Sequence, residues 1–418
     1  MTLKELKSTR CRVLAIHNMA NEKKLIWLVG SGISIPAKYP STSQITESVL
    51  SGKQLRRYTD ESYDFYSEEQ NEYPFPDEHV PRILTFLKWI DQLIMNKTGS
   101  STHDTYDYEQ LYYIASQVYE HSVGEFHNPA LIPLIDKLLF EEPELLSAKE
   151  EEVKGTWHLH ELAHESINYI RDVVWRKLTI EPQYYDHLKC FADPLQNSEA
   201  IELDLFTLNH DTLLEAYFKR LDIPVVDGFG ESEYGIRYWC EQEYDVLNAK
   251  VKLYKLHGSI NWFKFIPDKT PIDWYRARIG HIEDPLVYNI SQRGAHRVFQ
   301  IEGRPLFLAG TYNKTADYSN GIYKQLHCRF SKSLKKSARI LVCGYGFRDR
   351  GINFQIIEWL YSSRRNRIVL IHPNPGELGF SQKCTNIARW NNWIKDGQLK
   401  IVPKKIEDAT WQEIEDTL

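Results

Sequence analysis

One feature constrains this chain more than any other: a short apolar run that leads directly into glycines. Residues 24–29 (KLIWLV) precede 30–34 (GSGIS), and Ser41 with Thr42 is suited to cap a helix just beyond them. The pattern predicts a buried strand, a tight turn and a helix. In α/β proteins such a turn lets the backbone approach a pyrophosphate closely, although a plain strand-to-helix turn explains the motif by itself equally well.

Similar apolar runs recur along the chain and alternate with helical segments. Strands are predicted at 203–208, 251–256, 305–309, 339–343 and 367–371. Helices are predicted between and after them at 211–219, 320–336 and 351–364. This alternation predicts an α/β fold with a doubly wound, mostly parallel, Rossmann-like sheet and helices on both faces.

The remaining segments predict a large helical insertion in this sheet. An opening amphipathic helix is expected over 3–20 and a long surface loop over 51–79. The insertion is expected to contain helices at 80–96, 106–122, 128–140 and 156–178. The predicted organisation is a core made of 1–50 and 200–375, a mainly helical insertion over 51–199, and a C-terminal extension over 376–418 packed on the core.

Composition excludes several classes of protein. With 42% hydrophobic and 26% charged residues, the 418-residue chain has ordinary globular usage. Its 51 Lys and Arg against 57 Asp and Glu give a net charge of −6, so no direct nucleic-acid binding is expected. No run approaches the ~20 apolar residues of a membrane span, and charges interrupt the start where a secretory signal would need an apolar stretch.

The six cysteines are scattered. They form no C-x-x-C pair, so neither a disulfide framework nor a structural zinc site is predicted, and no metal is expected. Together with the missing signal and membrane span, this indicates a soluble, cytoplasmic protein. Aromatic residues make up 13% of the chain, which suggests ring-lined pockets or subunit interfaces.

Polar or glycine-rich clusters follow the predicted strands, at the edge where open α/β sheets place ligand groups. After the first glycine turn these clusters are 207–211 (TLNHD), 255–259 (KLHGS), 343–349 (CGYGFRD) with Asn353, and 372–375 (HPNP). Taken singly, Asn209 and Asp211 are explained as turn formers and His257 as a loop histidine with satisfied hydrogen bonds. Five such clusters, all at strand ends, are poorly explained as five independent turns.

The ordered set GSGIS, TLNHD, LHGS and GYGFRD resembles the sirtuin-like domain of bacterial antiphage NAD hydrolases. The resemblance covers residues 10–375 and includes the helical insertion with its segment 106–109 (YDYE). It implies that the chain cleaves the nicotinamide–ribose bond of its substrate NAD, giving nicotinamide and ADP-ribose. It also implies a role in antiphage defence by depletion of NAD, a form of abortive infection.

The resemblance also implies roles for particular residues. His257 is expected to be catalytic, together with Asn209, which orients the ribose or the attacking water. The residues expected to bind NAD through its pyrophosphate, nicotinamide ribose or adenosine half are Gly30, Ser31, Gly32, Ser34, Asp211, Gly344, Tyr345, Asp349 and Asn374. Two positions depart from the family pattern, since Ser31 replaces the usual Ala and His210 replaces a residue that is more often Ile or Tyr.

The expected chemistry suits these residue types. Cleavage of the bond generates an oxocarbenium-like centre, which requires nearby polar groups and a base for water or a ribose hydroxyl. A histidine accepts a proton near neutral pH. Trp262 and Phe263 are candidates for excluding bulk water or for ordinary core packing. Deacylating sirtuins carry a four-cysteine zinc module, and its absence here favours water as the acceptor over protein deacylation.

Other functions remain open at this point. Residues 160–164 (HELAH) match H-E-x-x-H on a predicted helix, where His160 and His164 could bind zinc with Glu161 as the base of a metalloprotease. Glu181 is a loose candidate for a third ligand. The same histidines are also explained as the polar stripe of a half-exposed helix. A further alternative is a non-catalytic sensor that binds NAD or ADP-ribose.

Control of the enzyme is expected to come from other chains. A permanently active NAD hydrolase would starve its host, and 376–418 is too short for a separate sensing domain. A homo-oligomer is therefore expected, and the resemblance implies a hexameric DNA-translocating ATPase as a possible partner.

Overall fold

The computed structural model describes residues 24–66, 77–98, 107–145, 157–197, 201–233, 235–246, 248–267, 277–284, 298–311, 313–380 and 387–418. The opening helix predicted over 3–20 lies outside these residues, as do Cys11 and Cys384.

The strands begin immediately at the first described residue. In chain order they are β1 (Lys24–Val29), β2 (Leu55–Arg57), β3 (Tyr63–Phe65), β4 (Glu202–Thr207), β5 (Val225–Val226), β6 (Phe229–Glu233), β7 (Ile236–Trp239), β8 (Val251–Lys255), β9 (Trp262–Pro267), β10 (Arg278–Ile282), β11 (Val298–Ile301), β12 (Arg339–Cys343), β13 (Arg367–Ile371) and β14 (Leu399–Val402).

The helices fall mostly in two groups, one between β1 and β4 and one after β11. In chain order they are α1 (Thr42–Ser51), α2 (His79–Thr98), α3 (Tyr108–Ser122), α4 (Ile132–Glu141), α5 (Leu159–Leu178), α6 (Lys189–Asn197), α7 (Leu213–Arg220), α8 (Glu243–Val246), α9 (Asn313–Asp317), α10 (Gly321–Lys336), α11 (Arg350–Ser362), α12 (Pro375–Phe380), α13 (Ile387–Lys395) and α14 (Trp411–Glu415).

Seven strands form a central sheet in the order β14-β13-β12-β1-β4-β8-β5, and each neighbouring pair is parallel. From β1 the chain builds outward through β4 and β8 on one side, then returns to build β12, β13 and β14 on the other. The strand order therefore reverses beside β1. This confirms the predicted doubly wound, mostly parallel α/β fold, and it places the topological switch point between β1 and β12.

Both faces of the central sheet are buried. Along β1, Trp27 and Val29 belong to one hydrophobic cluster, whereas Ile26 and Leu28 belong to the other. Because successive side chains of a strand point to opposite faces, an unbroken apolar run is what a strand covered on both sides requires. The first cluster contains the buried side chains of α5 and the second contains those of α10 and α11.

The four helices predicted in the insertion lie close to the observed α2, α3, α4 and α5, whereas α6 was not predicted. One of the two longest, α5, buries a stripe that includes Leu162, Tyr169 and Val173 in the same cluster as Trp27 of the central sheet. Its regular spacing of apolar residues is what made the helix recognisable from sequence.

Two predictions about local structure are wrong. The stretch 51–79 is not a continuous surface loop, because β2 and β3 form an antiparallel hairpin that buries Leu55 and Tyr63. Residues 305–309 do not form a strand. They make a single antiparallel bridge between Phe307 and Gly258, since the segment crosses the end of β8 instead of extending a sheet.

Sequence patterns did not reveal two further features. Five strands form a second sheet, antiparallel throughout, in the order β11-β9-β10-β7-β6. In addition, β14 adds a parallel strand to the edge of the central sheet beside β13. None of the helices in the described part of the chain is long and apolar enough to cross a membrane.

Candidate functional site

A cleft of about 820 Å³ opens at the carboxyl edge of the central sheet. The loops that follow β1, β4, β8, β12 and β13 all contribute to its walls. The start of α1 and the start of α3 also line the cleft, the latter through Asp107 and Glu109. Leu178, the segment that contains Gly310 and Lys314, and residues 405–407 contribute further contacts. The cleft thus lies at the switch point of the sheet, where open α/β folds bind ligands, and its volume is in the range of small-molecule sites.

The floor of the cleft is made by two glycine loops that pack directly on each other. Gly30 N–H donates to the Cys343 carbonyl (3.0 Å) and Gly32 N–H donates to the Gly344 carbonyl (2.9 Å). A Cβ at Gly30 would lie 2.6 Å from the Gly344 oxygen, and one at Gly32 would lie 2.7 Å from the Gly344 Cα. The contact between these two loops is therefore a structural reason for the glycines, independent of any ligand.

Asn209 and Asp211, which follow β4, are connected through Ser34 of the first glycine loop. Ser34 Oγ donates to Asp211 Oδ2 (2.8 Å) and accepts from Asn209 Nδ2 (3.0 Å), and all three residues are buried. Burial raises the pKa of Asp211, while the charge of Lys255 and the hydrogen bond from Ser34 act in the opposite direction. The network fixes the Asn209 amide with its nitrogen toward Ser34.

His257 follows β8 and contacts two groups from other parts of the chain. Its Nε2 lies 2.8 Å from the Tyr318 hydroxyl and 3.2 Å from Asp349 Oδ2. The Tyr318 hydroxyl in turn donates to Asp349 Oδ2 (2.5 Å). Burial lowers the pKa of His257, although the hydrogen bond with Asp349 opposes the shift. The ring is therefore neutral at pH 7.

His210 lies beside His257, with 6.3 Å between their ring centroids, and packs against Phe307 at 4.7 Å. Burial, followed by the charge of Lys314, holds the pKa of His210 well below its ordinary value. Its Nδ1 and the Asn209 Oδ1 are buried and find no hydrogen-bond partner among the described residues. Buried polar atoms are usually paired, so two unpaired ones in residues that line a cleft are consistent with contact to a ligand.

Two ion pairs join the helical insertion to the rim of the cleft. Lys314 Nζ lies 2.6 Å from Glu109 Oε1, and Arg348 Nη1 lies 3.2 Å from Asp107 Oδ2. Burial disfavours the charge on Lys314, but Glu109 and then Asp349 raise its pKa overall. The beginning of α3 is therefore joined by ion pairs to residues near Tyr318 and Asp349, the two side chains in contact with His257.

The structure brings most of the predicted site residues together. Those that line the cleft are Gly30, Ser31, Gly32, Ser34, Asn209, Asp211, His257, Gly344, Tyr345 and Asp349. Asn374 is exposed and lies outside this lining, although the neighbouring His372 and Pro373 belong to it. Trp262 and Phe263 are core residues of the two hydrophobic clusters and do not line the cleft.

Lys314 and Tyr318 were not predicted from the sequence as residues of the site. Neither lies at the end of a predicted strand or within a recognisable motif, and the sequence carries no signal that would have singled them out. Asp107 and Glu109 did have a signal, because they belong to the YDYE segment that accompanies the resemblance.

The H-E-x-x-H match lies on the first turns of α5, away from the cleft lining. Glu161 accepts a hydrogen bond from the His158 backbone N–H (2.7 Å) and so caps the helix. The His164 ring packs near Tyr119 at 5.3 Å. Across the part of the chain that the structure describes, no group of three or more His, Cys, Asp or Glu side chains is arranged to hold a metal ion.

Residues 204–393 match the family model of the SIR2-like domain. The matched stretch contains Asn209, Asp211, His257 and Asp349, and it begins after the first glycine loop. Among curated proteins, no significant match to the chain is found.

Solved structures similar to the chain are described as Sir2 homologues. One, a mutant in complex with ADP-ribose, has a TM-score of 0.37 and 11% identity, with coverage of 94% of this chain and 92% of that one. Another, a complex with NAD, has a TM-score of 0.38 and 10% identity, with coverage of 96% of this chain and 93% of that one.

Proposed function

We propose that this protein, with its SIR2-like domain over 204–393, is an NAD hydrolase that releases nicotinamide and ADP-ribose. The main support for the proposal is that residues of three separate motifs line one cleft. The first glycine loop, Asn209 and His257 come from the ends of three different strands and all line it. These are the groups that the motif resemblance associates with pyrophosphate binding, ribose orientation and proton transfer.

The proposed reaction is substitution at the C1′ carbon of the nicotinamide ribose. The C–N bond breaks and its electron pair goes to the nicotinamide nitrogen, which neutralises the positive charge of the ring. An oxocarbenium-like centre forms at C1′ and is attacked by water. The surplus proton of that water passes to a base and then to solvent, so NAD and water give nicotinamide, ADP-ribose and one proton.

His257 is the proposed base. A base must be unprotonated before it acts, and the burial that lowers the pKa of His257 keeps its ring neutral at pH 7. Asn209 is the proposed orienting group for the ribose or the water, because Ser34 fixes its amide nitrogen and its Oδ1 has no partner among the described residues. The low-polarity surroundings strengthen each of these interactions.

The biological role we propose is depletion of NAD in antiphage defence, by an assembly of this chain that is controlled in trans. The order of the motifs supports the defence role, and the danger of uncontrolled NAD loss supports the control. A hexameric DNA-translocating ATPase is the proposed partner. Sizing chromatography with light scattering tests the assembly, and a monomer with full activity alone would contradict it.

Substitution of the two proposed catalytic residues tests the function. We expect His257→Ala and Asn209→Ala each to lose at least ~100-fold in NAD turnover, the usual scale for an acid–base group. The double variant should be little worse than either single one, because groups that act as a unit are non-additive. His160→Ala, on α5 outside the cleft lining, is the control and should keep full turnover.

Calorimetric titration with ADP-ribose separates catalysis from binding. Retained affinity with lost turnover supports a catalytic role for His257. Near-normal cleavage by folded His257→Ala would show that the assignment is wrong. Binding without any turnover by the wild-type protein would favour the alternative of a non-catalytic sensor.

A further inference from the structure

His257 contacts two side chains, Tyr318 and Asp349, that the motif resemblance does not connect with it. Tyr318 is not among the residues that line the cleft, and its hydroxyl contacts both His257 Nε2 and Asp349 Oδ2. The other carboxylate oxygen of Asp349, Oδ1, accepts from the Ile352 N–H (2.9 Å) and caps α11. Asp349 is thereby fixed at both oxygens.

We propose that Tyr318 and Asp349 are positioning residues, which hold His257 as the tautomer protonated on Nε2 and so leave Nδ1 free to act as the base. This inference rests on the proposed function, since it gives the base of that reaction its orientation. It also gives Asp349 a second role beside the nucleotide contact that the motif resemblance implies.

The direction of the hydrogen bonds follows from the number of protons available. A phenol hydroxyl has one proton, and Tyr318 donates it to the Asp349 carboxylate at 2.5 Å. The Tyr318 oxygen can then only accept, so the 2.8 Å contact requires a proton on His257 Nε2. In a neutral imidazole with Nε2 protonated, the unprotonated nitrogen is Nδ1.

Packing against His327 and Gly351 holds the Tyr318 ring in place. Its ring stacks on His327 with centroids 3.8 Å apart. A Cβ at Gly351, in the first turn of α11, would lie 2.4 Å from Tyr318 Cε2. Glycine is a poor residue inside a helix, and here it makes room for this ring. The packing thus keeps Tyr318 in place for a polar contact, as a preorganised site requires.

The charged and titratable groups around His257 come from four segments. They are Asp349 and Tyr318, already described, together with Lys314, His210 and His327. Burial opposes ionisation of Asp349, but the hydrogen bond from His257, the charge of Lys314 and the hydrogen bond from the Ile352 N–H hold the pKa of Asp349 well below its ordinary range. An ionised Asp349 can accept from both Tyr318 and His257, and the pairing needs no positive charge on the histidine.

Steady-state kinetics of Tyr318→Phe and Asp349→Asn test the proposal. We expect Tyr318→Phe to lose about 10-fold in kcat, the value of one hydrogen bond, with KM and ADP-ribose affinity within about twofold of wild type. Asp349→Asn should lose about 100-fold in kcat. Asparagine can still cap α11, so Asp349→Asn is designed to keep the fold. Unchanged kcat in both variants, or an increase in either, would overturn the proposal.

Tyr323→Phe is the matched control. Tyr323 is buried near the same loop, 3.0 Å from the position of a Cβ at Gly258, and its hydroxyl has no hydrogen-bond partner among the described residues. Removal of that hydroxyl should leave kcat unchanged. Equal losses in Tyr323→Phe and Tyr318→Phe would show that the effect is general repacking and not positioning.

Long-range ¹H–¹⁵N NMR of histidine-labelled protein measures the tautomer without any turnover. The His257 signal, assigned by its loss in His257→Gln, should report a proton on Nε2 in the wild type and both tautomers in the Tyr318→Phe/Asp349→Asn double variant. A wild-type ring protonated on Nδ1 refutes the inference even if NAD is cleaved. If the wild type shows the Nε2 tautomer but cleaves no NAD, the proposed function fails while the positioning stands.

Discussion

A single methyl group at residue 344 tests whether the two glycine loops support the cleft by packing on each other. Gly344 has φ of +63°, and a Cβ there would lie 2.6 Å from the Ile33 nitrogen and 2.8 Å from the Gly30 oxygen. The left-handed conformation costs an L-residue about 1–2 kcal/mol. Displacement of packed backbone adds about 1–3 kcal/mol. We expect Gly344→Ala to lower the free energy of unfolding by about 3 kcal/mol.

Gly346→Ala, two residues along the same loop, is the control. The nearest atom to a Cβ at Gly346 is Arg348 Cγ at 3.9 Å, and the backbone there is not left-handed. We expect a change within about 0.5 kcal/mol for this variant. Urea denaturation gives both values, and Gly344→Ala should also lower Tm by about 3 °C for a chain of this size. If the two variants are equally stable, loop packing is not what requires glycine at 344.

Two further predictions concern electrostatics. Burial lowers the pKa of His281 and of His327 to about 3, so below pH 6.5 the unfolded chain takes up protons that the folded chain does not. Stability should therefore fall between pH 7 and pH 5 by about 2 kcal/mol for each histidine, measured by urea denaturation, and equal stability at both pH values would contradict this. Glu109→Gln leaves Lys314 buried without its closest counter-charge and should lower the free energy of unfolding by about 3 kcal/mol. A decrease of less than about 0.5 kcal/mol would show that the ion pair is effectively solvated.

The central sheet was predictable because each of its main strands is covered on both faces. After an exposed first arginine, β12 and β13 are apolar and buried to their ends, and the predicted bounds of these two strands coincide with the observed ones. The strands that escaped prediction are half-exposed or short. In the hairpin, β2 (LRR) and β3 (YDF) each bury one side chain, so three residues carry no readable periodicity.

The residues of the candidate site also differ in whether the sequence could predict them. Residues at strand ends, such as Asn209 and His257, lie together because parallel strands end at one edge of the sheet. Tyr318 is 61 residues from His257 in sequence and reaches it only through the packing of the segment between α9 and α10. Contacts of this kind depend on tertiary packing, and no local pattern encodes them.

Product analysis after incubation of the purified wild-type protein with NAD tests whether the protein is an NAD hydrolase. We expect nicotinamide and ADP-ribose in equal amounts, with no release by His257→Ala under the same conditions. Identification of the ribose product by mass spectrometry also distinguishes linear from cyclic ADP-ribose. NAD that is bound by the wild-type protein but recovered intact would refute hydrolysis, and equal nicotinamide release by wild type and folded His257→Ala would refute the role of His257.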